Sequence, residues 1–194
     1  LPKPIDDRIA AGIIFGLGLA GVLLNFTGAL LTFRVTALRT SFGRLTAVHC
    51  FADGAILVIF TFCAYEDHGS LLSQKIGQVS LYFWFLGLYT HFGIALNRFS
   101  LLFLPWIYKE VFQRRTSWLI LFNVLICTCH FCVYFGDGCD FYYNAETYFW
   151  EYADTPCGKA VAFWLDLSLG CAICITVLLL DIICVVKMRK SASV

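Results

Sequence analysis

The sequence predicts an all-α membrane protein with five transmembrane helices. Composition, the length of the apolar runs and the placement of basic residues carry that prediction. Of 194 residues, 60% are hydrophobic and only 14% are charged, whereas soluble domains carry about 25% charged residues. Mean hydropathy is +0.78. A bilayer core about 30 Å thick takes roughly 20 apolar residues per helix. Five runs meet that length, at 9–33, 45–65, 79–104, 118–135 and 160–186. The net charge of +1 hides a segregation. Arg34, Arg39, Arg44, Arg98, Lys109, Arg114, Arg115, Lys187, Arg189 and Lys190 fall on one side, with only Glu110 opposing them. The other side carries Asp6, Asp7, Glu66, Asp67, Asp137, Asp140, Glu146, Glu151 and Asp154, against Lys3, Arg8, Lys75 and Lys159. Lys and Arg mark the cytoplasmic side. The amino terminus is therefore expected outside and the carboxyl terminus of this segment inside, as five crossings require. The expected setting is a multi-pass protein of the plasma membrane.

Each span carries its own polar or small residues. Span one has Gly12, Gly16, Gly18 and Gly21, a spacing that lets helices approach closely, here within one chain. It also carries Asn25, and span two carries Asp53. A carboxylate in hydrocarbon must find a partner or stay protonated. Asn25 can supply that partner, so Asn25 and Asp53 form a candidate polar switch in the helix core. Span three ends in Asn97-Arg98-Phe99, with Pro105 seven residues after the arginine. Ionisable groups at that depth are costly and usually functional. Span four is the shortest and most polar. Its Cys127, Cys129, Cys132 and His130 lack zinc spacing and sit in an apolar helix, so they are read as packing residues with no metal. In span five, Asp166 lies in the outer half, as a candidate ligand-facing residue or a packing residue. Asp181 lies near the inner end, where it can snorkel towards Lys187 or Arg189.

The ten cysteines divide by compartment. Cys50, Cys63, Cys127, Cys129, Cys132, Cys171, Cys174 and Cys184 lie in or at the ends of spans. Cys139 and Cys157 lie in the outer loop, 136–159, where the environment is oxidising. A bridge between them is expected, with Cys63 at the outer end of span two as the competing partner. The sequence shows no nucleophile with a base, no phosphate loop and no metal ligand set, so neither an enzyme nor a cofactor is expected. The basic loops are short and tethered at the membrane, which argues against nucleic acid. The chain starts with Leu and stops just past the fifth span, which suggests a segment of a longer protein.

A group of residues in order and at matching depth now defines a resemblance. They are Gly21 and Asn25, Ala52 and Asp53, Asn97-Arg98-Phe99 with Pro105, Trp118, and Asp181-Ile182 before Lys187. The outer loop adds Cys139-Asp140-Phe141-Tyr142-Tyr143, Trp150 and Cys157. Together they resemble the nematode serpentine chemoreceptors of class X (Srx), distantly similar to rhodopsin-like receptors, over nearly the whole chain. The resemblance implies that residues 9–190 are helices one to five of a seven-helix receptor domain. It implies a G-protein-coupled chemosensory receptor. Its partners would be the lipid bilayer, a small-molecule or peptide ligand, and a heterotrimeric G protein contacted by Asn97, Arg98 and Phe99.

Departures from the rhodopsin-like pattern sharpen these expectations. An acidic residue usually precedes the helix-three arginine, and here Asn97 stands there. Restraint of Arg98 must then come from elsewhere or be weaker. A cysteine usually ties the top of helix three to the outer loop, and the matching place, near Ser73, has none. That favours the Cys139–Cys157 bridge. Asp53 usually shares a sodium ion with a helix-three hydroxyl, and Gly87 stands at that place, which argues against sodium. Two other readings use the same residues. A small transporter or channel fragment would run a polar path through Asp53, Asp166 and Asp181. A membrane scaffold would use the Cys139–Cys157 loop for contacts and leave Arg98 unimportant.

Overall fold

The computed structural model describes residues 4–63, 71–144 and 149–192. Lys3, Glu66, Asp67 and Glu146, placed above on the outer side, lie outside them, as do the last two residues of the second expected span, 64–65, and the side chains of Asp6, Asp7, Arg8, Cys63 and Ser73. Within the described residues, five helices are long and apolar enough to cross a bilayer. They are α1 (Pro4–Arg34), α2 (Ser41–Cys63), α3 (Leu71–Phe103), α4 (Pro105–Val133) and α5 (Pro156–Ala192). Each overlaps one expected span and starts before its apolar stretch, and α1 and α5 also run past its end, because hydropathy marks the bilayer core and not the helix ends.

The largest difference is at α4. The segment before Trp118 reads as an inner loop in the sequence, yet it is helical from Pro105. Leu104 leaves the helical region (φ −133°, ψ 63°), and Pro105 opens the next helix at its first position. A residue before proline is pushed out of the α region, and proline suits the first turn. The turn widens to a π-helix at Tyr108–Gln113. A second irregularity follows at Arg115 (φ −119°, ψ 20°). Glu110 lies 2.9 Å from Arg114 and 3.5 Å from Arg115, so this basic inner surface is partly neutralised.

The α3 helix is the axis of the bundle. Of its apolar window 44% is buried, against 6% for α1. Leu45, Ile94 and Phe112 join α2, α3 and α4 near the inner side. Ala95, Ile173 and Val177 join α3 to α5. An outer cluster gathers Phe85, Leu86, Cys127, Tyr134 and Val161. The α1 helix leans on α2 through three of its five glycines, Gly18, Gly21 and Gly28, the last facing Cys50. Gly18 abuts Thr61, and a Cβ on Gly21 would come 2.6 Å from Leu57 Cδ1, whereas Gly12 and Gly16 meet nothing within 4 Å. Leu17 and Leu24 point outward, as lipid tails permit.

The outer loop adds a two-stranded antiparallel hairpin to the helices, β1 (Phe141–Asn144) and β2 (Phe149–Tyr152), with Phe141 opposite Tyr152 and Tyr143 opposite Trp150. Cys139 and Cys157 are joined by a disulfide at its base, with Cα atoms 5.1 Å apart. The chain then enters α5 through Thr155, whose hydroxyl accepts from Gly158 N at 3.0 Å, and Pro156 at the first helical position. This is an N-cap with proline behind it.

Candidate functional site

At the inner end of α3, three successive residues point three ways, since each step turns a helix by about 100°. Asn97 is 2% exposed and donates from Nδ2 to Ser41 Oγ of α2 at 2.8 Å. Phe99 stacks on Phe103 with centroids 4.8 Å apart. Arg98 reaches across to α5, where its Nη2 lies 3.3 Å from Asp181 Oδ2. Two expectations change here. Asn97 ties α3 to α2 and is too buried to serve as a direct contact for a partner. Asp181 pairs with Arg98 and not with Lys187 or Arg189. Phase explains the second change: Asp181 faces inward to α3, whereas the tail cations continue along α5 past the bundle. Arg98 Nε and Asp181 Oδ1 find no further partner among the described residues, so the pair has a single contact. The two side chains are 42% and 31% exposed. Pairs of that exposure contribute about 0.2–1 kcal/mol, enough for a latch that can open.

A cavity of about 590 Å³ lies between α1, α2, α3, α5 and the hairpin. Its inner part holds Asn25, His49, Asp53 and His91. Asp53 lies 3.4 Å from His49 Nε2, and the two imidazoles stack with centroids 5.5 Å apart. Asn25 lines the same space but donates to its own helix, to Gly21 O at 3.0 Å. The expected Asn25 partnership for Asp53 is therefore replaced by an i, i+4 histidine, which sits one turn away on the same face. Gly87 faces Asp53, and a Cβ there would come 3.2 Å from its Oδ1. Among the described residues, no three His, Cys, Asp or Glu side chains converge as a metal site. His130, beside the span-four cysteines, instead meets the Tyr89 hydroxyl at 3.0 Å.

The outer part of the cavity is aromatic. Phe141 stacks on Trp150 at 5.5 Å, and Trp150 packs on Phe60 of α2 at 5.6 Å. Phe141 also meets Tyr152 at 4.7 Å, so these three rings share one face of the hairpin. Asp166 of α5 lines the cavity beneath them. Burial pushes the Tyr152 phenol well above its ordinary value, and neighbouring Tyr134 and Asp166 push it further. Burial also raises Tyr134. Both hydroxyls therefore stay neutral beside that carboxylate.

A residue the sequence reading missed holds the hairpin to α3. Gln78 is 1% exposed. It donates from Nε2 to Tyr134 O at 2.8 Å and to Asp140 Oδ1 at 3.2 Å. Its Oε1 accepts from Lys75 Nζ at 3.1 Å. One turn of polar contacts thus ties the outer end of α3 to the loop, where rhodopsin-like receptors use a cysteine. Beside it, a Cβ on Gly77 would collide with the Phe141 carbonyl oxygen, a backbone atom. Gly77→Ala should therefore displace β1 and speed chymotrypsin cleavage at the aromatic residues of the hairpin several-fold. Limited proteolysis of intact cells measures this, and an unchanged cleavage rate would show that β1 does not need the close approach.

With this geometry in place, comparison with known proteins is decisive. The family model for the serpentine type 7TM GPCR chemoreceptor Srx matches residues 15–194. The chain belongs to the Srx family of serpentine chemoreceptors. Within that family, serpentine receptor class X 45 of Caenorhabditis elegans is 25% identical over 173 residues, covering 84% of this chain and 48% of that protein. The crystal structure of squid rhodopsin matches with a TM-score of 0.76 at 16% identity, covering 100% of this chain and 56% of that one. This Srx chain thus spans about half the length of each. The likeness to squid rhodopsin shows the fold: five spanning helices arranged as part of a seven-helix bundle. The family is one of receptors, and the protein is a multi-pass membrane protein.

Proposed function

We propose that residues 9–190 form helices one to five of a receptor that detects a ligand at its outer face and activates a heterotrimeric G protein at its inner face. The observation that carries this reading is the Arg98–Asp181 pair, which joins the inner ends of α3 and α5 at 3.3 Å. Asn97 cannot restrain Arg98 as a neighbouring carboxylate would, and Asp181 fills that role from another helix. A ligand in the outer cavity that favours a different α3–α5 arrangement shifts the population of open pairs. Opening frees Arg98 for the G protein. Asp53 and His49, at the floor of the cavity, serve as the polar switch between the two ends. A transporter path would need Asp181 facing the cavity of Asp53 and Asp166, yet Asp181 is engaged with Arg98.

The test uses full-length receptor in cells. Arg98→Lys should reach the surface normally, since lysine also snorkels, yet couple poorly, because an ammonium does not reproduce the planar guanidinium. Arg98→Ala should lose coupling almost entirely. Wild-type signalling by both variants at equal surface density would reduce Arg98 to an interface anchor. The orientation supports a plasma-membrane receptor and has its own test. Epitope tags inserted at Arg39 and Arg114 should label only after permeabilisation, and a tag at Tyr143 should label on intact cells. Labelling at Arg114 without permeabilisation would invert the orientation.

A further inference from the structure

We propose that the outer cavity takes a small organic cation, with its ammonium against Asp166 and its apolar body among the rings of Trp84, Phe141 and Trp150. The proposal rests on the receptor reading and names the ligand class for it. Three observations converge. The fixed charges of the lining are negative: it contains the carboxylates of Asp53 and Asp166 and the imidazoles of His49 and His91, and no Lys or Arg among the described residues. The inner carboxylate already has a partner, since Asp53 lies 3.4 Å from His49. Asp166 is the carboxylate beneath the hairpin, with the neutral Tyr152 phenol beside it.

The rings supply the second half of the recognition. Phe141, Trp150 and Tyr152 turn one hairpin face towards Asp166, and Trp84 of α3 closes the side of the same cavity. An ammonium over aromatic faces is attracted by the ring quadrupole, most strongly by tryptophan. A carboxylate in a low-dielectric cavity disfavours an anion and leaves a neutral ligand with an unmatched charge. The hairpin is held over the cavity by Gln78 and by the Cys139–Cys157 disulfide, so the aromatic lid is positioned before a ligand arrives. Such preorganisation reduces the ordering cost of binding.

Three probes of nearly the same shape separate the charge classes: phenethylamine, phenethyl alcohol and phenylacetate. Each is added at about 1 mM, the affinity range of a fragment-sized ligand, to purified intact receptor in lipid nanodiscs, and thermal denaturation is followed. The expected result is that phenethylamine alone raises the midpoint. Asp166→Asn should weaken its binding about tenfold or more, as for loss of a charged hydrogen-bond partner, whereas Asp166→Glu should retain it. Stabilisation by the alcohol or phenylacetate to the same degree, by none of the three, or unchanged amine binding in Asp166→Asn would overturn the proposal. Ligand-free nucleotide exchange on a G protein, measured in nanodiscs with wild type and with the released variant Asp181→Asn, separates the two failures. Exchange without amine preference removes the ligand class alone. No exchange in any preparation removes the receptor reading and the ligand class with it.

Discussion

Asp181→Asn should raise signalling in the absence of ligand about two- to fivefold. The estimate follows from an ion pair worth up to about 1 kcal/mol at this exposure. The substitution keeps the shape of the side chain and removes its charge, so the packing of Ile173 and Val177 of α5 against Ala95 of α3 is left in place. Arg98 then has no carboxylate partner among the described residues, since its neighbour Asn97 is an amide engaged with Ser41. Asp181→Glu should leave signalling near the wild-type level, because the carboxylate can still reach across. Second-messenger output at matched surface density measures both variants. Equal ligand-free output from wild type and Asp181→Asn would mean that this pair does not hold the receptor off.

The second large effect is on the outer loop. Cys139 and Cys157 close an 18-residue separation. By the chain-entropy model such a closure stabilises by about 3 kcal/mol. Cys139→Ser should therefore loosen the hairpin, lower the thermal midpoint of the purified receptor by several degrees and reduce its surface level. Cys139→Ser with Cys157→Ser should behave like either single variant, because one bond is lost in each case. Non-reducing peptide mapping of wild type should recover the Cys139 and Cys157 peptides linked to each other. A Cys139 peptide linked to Cys63 would contradict the pairing, and a double variant much worse than the singles would assign the cysteines separate roles.

Much of the bundle was legible because hydropathy and charge side are local or cumulative signals. Mostly apolar runs of about twenty residues and ten basic residues on one side need no knowledge of packing. Arg98 stood out for the same reason: a charge at a membrane edge is visible without its partner. The partner was not visible. Asp181 is 83 residues away, and whether it faces Arg98 or the tail cations depends on the rotation of α5 about its axis. Its π-helical segment, Val161–Ser168, shifts that rotation, and periodicity alone gives no warning of it. Gln78 escaped notice because glutamine at a helix end is ordinarily a solvated residue, and its burial arises only when the hairpin folds over it. His49 was overlooked beside Asp53, although the i, i+4 spacing was in the sequence. The helical start at Pro105 could have been read from the proline itself, which suits a first turn as well as a loop.

Ligand-free nucleotide exchange on a purified heterotrimeric G protein, catalysed by the intact receptor in nanodiscs, tests most directly whether Arg98 is the coupling residue and Asp181 its restraint. Four proteins form the cycle: wild type, Asp181→Asn, Arg98→Ala, and the two changes together. Asp181→Asn should exceed wild type several-fold, and Arg98→Ala should give almost no exchange. The double variant should be as inactive as Arg98→Ala, because restraint matters only when there is an arginine to release. A double variant as active as Asp181→Asn, or four equal rates, would contradict it.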